Sequence, residues 1–360
     1  MRLRIPNLGA DRFSGLYIGV LFIVIFGIWT PNTFLTAVTL HLVASGQAIS
    51  AIVALGVLIP LTTGTYDLTA GAVCNLSALV VVILLDQHWA MWPAIFVSVG
   101  VAVAIGAVNG FIVVVLRVNS FIATLGMATV VLAVQEIVTG GNQPLPPTLP
   151  AWNTLTQHLT FGFQIVVAYL LVIAILLWWV LDHTPLGRYF YAIGSNTEAS
   201  RLSGIAVDRW VWLSLIASGT LCGIGGVLYS SLTGPSLTFG SALLLPAFAA
   251  VFLGSTQLDP GRPNVWGTII ALYVLAIGVS GLQLITGVQW LNDMFSGVAL
   301  IATVSFATWR QRASNRALTP PDPHDESGGA PSVPPAVAAG ASLPPAEGNS
   351  ESPRAINPHR

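Results

Sequence analysis

Long apolar runs separated by short polar segments dominate this sequence, and they constrain its fold more than any other feature. Only 8% of the residues are charged and the mean hydropathy is +0.79, whereas soluble domains carry roughly 25% charge. The pattern predicts an all-α, polytopic membrane protein with about ten transmembrane helices, some short or broken, and counts of eight or nine stay open. The predicted spans are Leu16–Trp29, Leu42–Leu61, Ala72–Leu85, Trp92–Leu116, Phe121–Val138, Phe163–Leu181, Trp210–Ser230, Ala242–Leu253, Val265–Leu284 and Trp290–Trp309.

The arginines test this count, because cytoplasmic loops of membrane proteins carry an excess of positive charge. With a cytoplasmic N-terminus, ten spans put these residues inside and leave no arginine outside: Arg117, Arg188, Arg201, Arg209, Arg262, Arg310, Arg312 and Arg316. The expected organisation is a cytoplasmic N-terminus over residues 1–15 and a transmembrane domain over 16–312 with a cytoplasmic loop at 182–209. Residues 313–360, rich in Pro, Ala, Gly and Ser, are expected to form a disordered cytoplasmic tail.

The basic residues also narrow the possible chemistry, because all thirteen Lys+Arg residues are arginine. A chain without lysine contains neither a standard Walker A loop nor a Schiff-base lysine, so any ATP hydrolysis must come from a separate chain. The formal net charge of -1 and the lack of basic runs argue against a nucleic-acid partner. No carboxylate pair or histidine cluster has the spacing of a catalytic or metal site, so we expect no enzyme activity, no metal and no cofactor.

The longest polar segment between apolar runs is GRYFYAIGSNTEASRLSGI, residues 187–205. Ser195 as N-cap, with Glu198 three residues later, predicts a capping box at the start of a short helix. Gly204 can supply a left-handed residue at its end, so the helix is expected over residues 196–203. Its outward stripe would be formed by Ala199, Leu202 and Ile205. Two interpretations stay open: an ordinary capped loop helix, and a handle for a partner protein.

Two polar breaks in the apolar pattern share the form G-[ST]-x-[DQ]-L-x-x-G, namely Gly64–Gly71 and Gly254–Gly261. Each joins two apolar runs on the predicted inner side. They are either corresponding breaks of two structural repeats, as in many transporters, or ordinary glycine turns. Asp67 lies in the first break, where a carboxylate between apolar runs needs water, a partner or a helix N-terminus.

Polar residues within or beside the runs are candidates for a solute pathway, because amides hydrogen-bond hydroxylated solutes. The same groups also join helices to each other, and this packing role is the alternative for each of them. The pathway candidates are Gln47, Asp67, Asn75, Asn109, Gln135, Glu136, Gln283 and Asp293.

Three stretches, Asn109–Gly141, Gly187–Ile205 and Leu253–Thr268, resemble the signature stretches of ribose-type permeases of bacterial ABC importers. The resemblance runs from about Val43 to Arg312 and implies a multi-pass permease subunit, surrounded by lipid in the bacterial inner membrane, that imports a monosaccharide or related polyol. It also implies three partners: a cytoplasmic ATPase subunit, an extracytoplasmic solute-binding protein, and a second copy of the permease or a paralogue. A branched-chain amino acid is the alternative cargo, and a stand-alone secondary transporter is a further alternative.

The same resemblance assigns a role to the 187–205 segment, because ribose-type permeases dock on their ATPase through a coupling helix in this loop. The contact set carried over by position is Gly194, Ser195, Asn196, Glu198, Ala199, Arg201, Leu202, Ser203, Gly204 and Ile205. Around Asp67 the chain departs from the family's usual T-G-G-I-D-L-S run. Thr65 and Tyr66 replace the second glycine and the apolar residue, which changes the local turn.

Overall fold

The chain forms a bundle of helices in the computed structural model, which describes residues 14–160, 162–259 and 261–288 and scattered positions between 290 and 305. Within these residues, six helices are long and apolar enough to cross a membrane: α3 (Ala37–Thr62), α5 (Met91–Val114), α6 (Ser120–Thr139), α8 (Val166–His183), α11 (Val207–Leu232) and α13 (Val265–Thr286). Three further apolar helices are shorter: α1 (Ser14–Trp29), α4 (Ala70–Asp86) and α12 (Phe239–Gly254). The protein is therefore a multi-pass membrane protein.

The remaining elements are short and lie between the apolar helices. They are α2 (Pro31–Phe34), α7 (Pro150–Gln157), α9 (Pro185–Ser195), α10 (Thr197–Leu202) and a hairpin of β1 (Leu159–Thr160) and β2 (Phe163–Gln164). The two strands pair antiparallel, with Leu159 opposite Gln164. Helices α2, α7 and α9 each begin with a proline at the first turn, where the missing N–H costs no hydrogen bond.

Nine of the ten predicted spans coincide with the nine apolar helices. The tenth, 290–309, falls mostly on residues that the structure does not describe, so a count of ten stays a prediction. Asp293, the tail at 313–360 and nearly all of the predicted N-terminal segment also lie outside the described residues.

Helix α3 is the centre of the bundle. Its residues from Ala48 to Pro60 are almost all buried, and it packs against α8, α11, α12 and α13. Neighbouring helices approach closely where glycine removes the side chain: a Cβ on Gly219 of α11 would lie 2.6 Å from the Ala102 carbonyl of α5. A Cβ on Gly226 would lie 2.1 Å from the Cys74 carbonyl of α4. Such contacts fix α11 against α4 and α5, since membrane helices associate mainly through close packing.

Four connecting segments meet at one end of the bundle, which we call the loop face. They are the α3–α4 break (residues 63–69), the α5–α6 turn (115–119), the α8–α11 connection with α9 and α10 (184–206), and the α12–α13 loop (255–264). The α8–α11 connection contacts the α3–α4 break and the α12–α13 loop directly. It is linked to the α5–α6 turn through Asp208 of α11. The topology predicted from the sequence also places all four segments on one side of the membrane.

Candidate functional site

The predicted loop helix exists as α10, from Thr197 to Leu202, within one residue of its expected ends. Its N-cap is Asn196, whose side-chain oxygen accepts from the Ala199 N–H at 2.9 Å. The predicted cap at Ser195 is wrong, because α9 continues through Ser195 and the Ser195 hydroxyl donates to the Tyr191 carbonyl instead. The capping box with Glu198 therefore does not form. Gly204 has a φ of +82°, which confirms the expected left-handed residue after the helix.

The outward face of α10 is smaller than predicted. Leu202 is 89% exposed and Ala199 is also exposed, so both can meet another protein. Ile205 is half-buried, because it packs inward against the cluster of Val114, Ile193, Val207 and Val211. Its assignment to the outward stripe is wrong: the chain turns back toward α11 immediately after Gly204. The outward face that remains is centred on Leu202, a large apolar side chain almost fully in solvent.

Helix α9 packs directly on the α3–α4 break. A Cβ on Gly194 would lie 2.2 Å from the Thr62 carbonyl, and the Gly194 Cα lies 3.6 Å from the position of a Cβ on Gly64. Gly64 itself has a φ of +76°, which favours glycine. The two glycines thus allow the backbone of α9 to touch the backbone at the end of α3.

A charged network attaches α10 to the neighbouring elements. Asp208, in the first turn of α11, accepts two hydrogen bonds from Arg117, at 3.0 and 2.7 Å. It accepts a third from Arg201 of α10 at 3.2 Å. A carboxylate near a helix N-terminus is favourable, and a bidentate arginine fixes its orientation. Arg201 therefore joins α10 to α11 and to the α5–α6 turn, although it was predicted as a contact for the ATPase.

The two breaks that share a sequence form have one structural feature in common, although their backbone conformations differ: Gly64 has a φ of +76°, whereas Gly254 at the same motif position lies within α12. Both are helix–loop–helix connections, and both bury the polar residue at the fourth motif position: Asp67 and Gln257 are each 1% exposed. Asp67 accepts from the Thr69 N–H at 3.0 Å and from the Thr69 hydroxyl, and Asn109 donates to that hydroxyl at 2.8 Å. Sequence reasoning did not select Gln257, although its place in the motif could have indicated it.

Asn75 and Gln135 form a second buried polar cluster at the start of α12. The Asn75 amide donates to Gln135 and to the Leu237 carbonyl, and Gln135 donates to the same carbonyl at 3.0 Å. The Gly240 N–H donates to Asn75 at 2.7 Å. These contacts join α4, α6 and α12, so for Asn75 and Gln135 the structure favours the packing role over contact with a solute.

The remaining pathway candidates differ in their surroundings. Gln47 and Gln283 are half-buried, and Glu136 is exposed on α6. Glu136 continues an exposed stripe with alternating spacings of four and three residues, so all its members share one face of the helix. The stripe consists of Ile122, Gly126, Thr129, Ala133 and Glu136. Because Glu136 lies in the last turn of α6 and a carboxylate is unfavourable in lipid, this end of the exposed face is expected to meet water or another protein.

A cavity of about 270 Å³ lies between α1, α2, α3 and α13. Its walls include Ile23, Leu40, Val43 and Ile277, and the Tyr273 hydroxyl beside them donates to the Ala44 carbonyl at 2.9 Å. Such an apolar lining offers few hydrogen bonds to a hydroxylated solute. None of the predicted pathway residues lines it.

Comparison with known proteins decides the family. The family model described as "Branched-chain amino acid transport system / permease component" matches residues 39–304, well over half of the chain and all the elements of the loop face. The protein belongs to this permease family. The family name covers a transport component, so the expectation that the protein is not an enzyme is confirmed.

Several curated permeases resemble this one over most of their length. A fructose import permease protein of Rhizobium meliloti is 29% identical over 83% of this chain and 86% of its own. A ribose import permease protein of Escherichia coli K12 is 29% identical over 78% of this chain and 89% of its own. An autoinducer 2 import system permease protein of Salmonella paratyphi B is 26% identical over 87% and 93%. No solved structure matches the chain.

Proposed function

We propose that this permease is the membrane subunit of an ATP-driven importer for a monosaccharide or related polyol. The cargo class is supported by the resemblance to the fructose and ribose import permeases and by the resemblance of the three signature stretches. The partners are a cytoplasmic ATPase subunit, an extracytoplasmic solute-binding protein and a second permease copy or paralogue. The loop face and both chain termini lie in the cytoplasm, and the protein resides in the bacterial inner membrane.

One observation carries the coupling role: Leu202 is 89% exposed on a capped helix that is itself bonded to the rest of the loop face. An exposed leucine on a firmly held helix suits insertion into a groove of another protein. The ATPase subunit binds here, ATP closes two such subunits, and the attached α9 and α10 transmit the movement to the membrane helices. The solute passes between permease copies along the exposed face of α6 that carries Glu136.

Replacement of Leu202 by aspartate tests this role. The charge removes the apolar anchor, so co-purification of the ATPase subunit and ATP-driven uptake are expected to fall by about tenfold or more, as for an interface hot spot. The matched control is Leu145→Asp, because Leu145 is 84% exposed in the connection at the other end of α6. Unchanged assembly and uptake in Leu202→Asp would remove the coupling role from α10.

A branched-chain amino acid is the second candidate cargo, because the family description names that class. Its ammonium and carboxylate groups would favour charged residues along the path. Among the described pathway candidates, the two acids are Asp67, which is fully buried, and Glu136. A thermal-shift screen of the partner binding protein with sugars, polyols and branched-chain amino acids separates the two cargoes, and stabilisation by leucine or valine alone would contradict the sugar assignment.

A further inference from the structure

The α12–α13 loop is a compact unit organised by one side chain. Asn264 caps α13, accepting from the Gly267 N–H at 2.7 Å. Its amide also donates to the Gly254 and Gln257 carbonyls, at 3.1 and 3.0 Å. The loop closes further where the Gly261 N–H donates to the Ser255 carbonyl at 2.9 Å. A force on any part of this loop is therefore transmitted to the ends of both α12 and α13.

Helix α9 holds this loop through Tyr191. The Tyr191 hydroxyl donates to the Pro263 carbonyl at 2.8 Å, and the Arg262 guanidinium lies 3.6 Å from the centre of the Tyr191 ring. Arg262 also forms an ion pair with Asp182 at the end of α8, at 3.7 Å. A guanidinium stacked on an aromatic face is bound by both electrostatics and contact area. Burial raises the pKa of Tyr191 to about 12, so its hydroxyl remains a donor even in mildly alkaline solution.

The C-terminal end of α9 also contacts the first break, through Gly194 against the Thr62–Gly64 backbone. Gly194 lies three residues, almost one turn, after Tyr191 in α9, and α10 begins at Thr197, three residues after Gly194. A single short helix, continuous with the exposed Leu202 face, therefore contacts both of the segments that share the G-[ST]-x-[DQ]-L-x-x-G form.

We propose that α9 is a clamp that makes both breaks move together when the ATPase subunit binds α10. Gly194 holds the α3–α4 break by backbone contact, and the stacked pair of Tyr191 and Arg262 holds the α12–α13 loop. Tyr191 and Arg262 are positioning residues, because they act through the loop and touch neither nucleotide nor solute. The clamp rests on the proposed binding of an ATPase subunit at α10 and adds a defined path from α10 to α12 and α13.

Hydrogen exchange of the permease, alone and in complex with its ATPase subunit trapped with ATP and vanadate, tests the clamp without knowledge of the solute. In the wild type, formation of the complex is expected to slow amide exchange in both 185–205 and 255–264. In Arg262→Ala the slowing at 185–205 persists, whereas exchange at 255–264 is about threefold to tenfold faster than in the wild-type complex, the size expected when one partly desolvated cation–π contact is lost. Arg188→Ala, which removes an exposed arginine from the same helix, should behave as wild type.

A second variant separates a clamp from a folding role. Tyr191→Phe keeps the ring beneath Arg262 and removes only the hydrogen bond to Pro263, so its loss of protection at 255–264 should be smaller than that of Arg262→Ala. Wild-type protection of 255–264 in both variants would overturn the clamp and leave the binding at α10 intact. Failure of both variants to assemble would also overturn it, because the contact would then serve folding. Absence of protection at 185–205 in the wild-type complex would instead contradict the proposed function.

Discussion

Gly194 shows how the packing of α9 on the end of α3 depends on the absence of a single side chain. The residue lies within α9, where alanine would ordinarily be the better helix former by about 1 kcal/mol. A methyl group at this position would, however, lie 2.2 Å from the Thr62 carbonyl, and that carbonyl belongs to backbone that cannot rotate away. Steric overlap with the break therefore outweighs helix propensity.

Gly194→Ala should accordingly lower stability by about 1–3 kcal/mol or shift α9 away from α3. The measurement is the apparent Tm in detergent, together with co-purification of the ATPase subunit. Gly100→Ala is the matched control, since a Cβ at that helical position meets nothing within 4 Å and should be neutral or slightly stabilising. Equal Tm and equal assembly in the two variants would show that the close contact with Thr62 has no energetic weight.

For individual residues, the sequence predicted local backbone conformation better than it predicted which residues contact each other. The glycine at 204 was predictable because its conformational demand is local. The cap was not: Ser195 and Asn196 are both good caps, and the choice depends on how far α9 extends, which the local sequence does not state. The stacking contact between Tyr191 and Arg262 could not be predicted, because 70 residues of chain separate them.

Among the elements, α12 is held less by its own sequence than by α4 and α6. It is too short to cross a membrane upright, and its first turn is fixed by the shared hydrogen bonds of Asn75 and Gln135. In a lipid environment, backbone groups such as the Leu237 carbonyl and the Gly240 N–H require partners from the protein. The side-chain amides of Asn75 and Gln135 supply these partners. Their burial is therefore explained without contact with a solute.

A double-mutant cycle tests this interpretation. Asn75→Ala should lower stability by about 1–3 kcal/mol, since it leaves the Gly240 N–H without its acceptor, and Gln135→Ala should cost less. Because both amides donate to the Leu237 carbonyl, each single variant leaves that carbonyl one donor and only the double variant leaves it none, so the double variant should cost more than the sum of the single variants. Chemical denaturation in detergent gives the three values, with Asn142→Ala on the exposed loop as the control. Strict additivity would mean that Asn75 and Gln135 act independently.

The long apolar helices were predictable because each corresponds to an uninterrupted run of apolar residues in the sequence. Among the short elements α10 was predictable from its cap signals, but α7 and α9, of 8 and 11 residues, were not. Their helical state depends on burial of residues such as Trp152 and Phe190 against the bundle, which local sequence does not reveal.

For the whole molecule, the pathway candidates differ in whether they face the interior or the outside of the bundle. Asp67, Asn75, Asn109 and Gln135 are buried and their hydrogen bonds lie largely within the chain. Glu136 instead projects from α6 on an exposed stripe. A path walled by this stripe needs a second surface opposite it, which the proposed second permease copy supplies. A single sequence cannot show this second surface, because the surface would be formed by another chain.

The proposed orientation can be tested by labelling two single positions at opposite ends of the bundle. Ser120, at the start of α6, bonds the Tyr66 N–H on the loop face, so the connection after Thr139 lies at the other end. Leu145 and Leu202 are 84% and 89% exposed, and the native Cys74 and Cys222 are buried, which keeps background labelling low. With the permease expressed without its ATPase subunit, a membrane-impermeant maleimide should label Leu145→Cys in spheroplasts and label Leu202→Cys only in inverted vesicles. The reverse pattern would place the loop face outside the cytoplasm, where no ATP-driven subunit could reach Leu202.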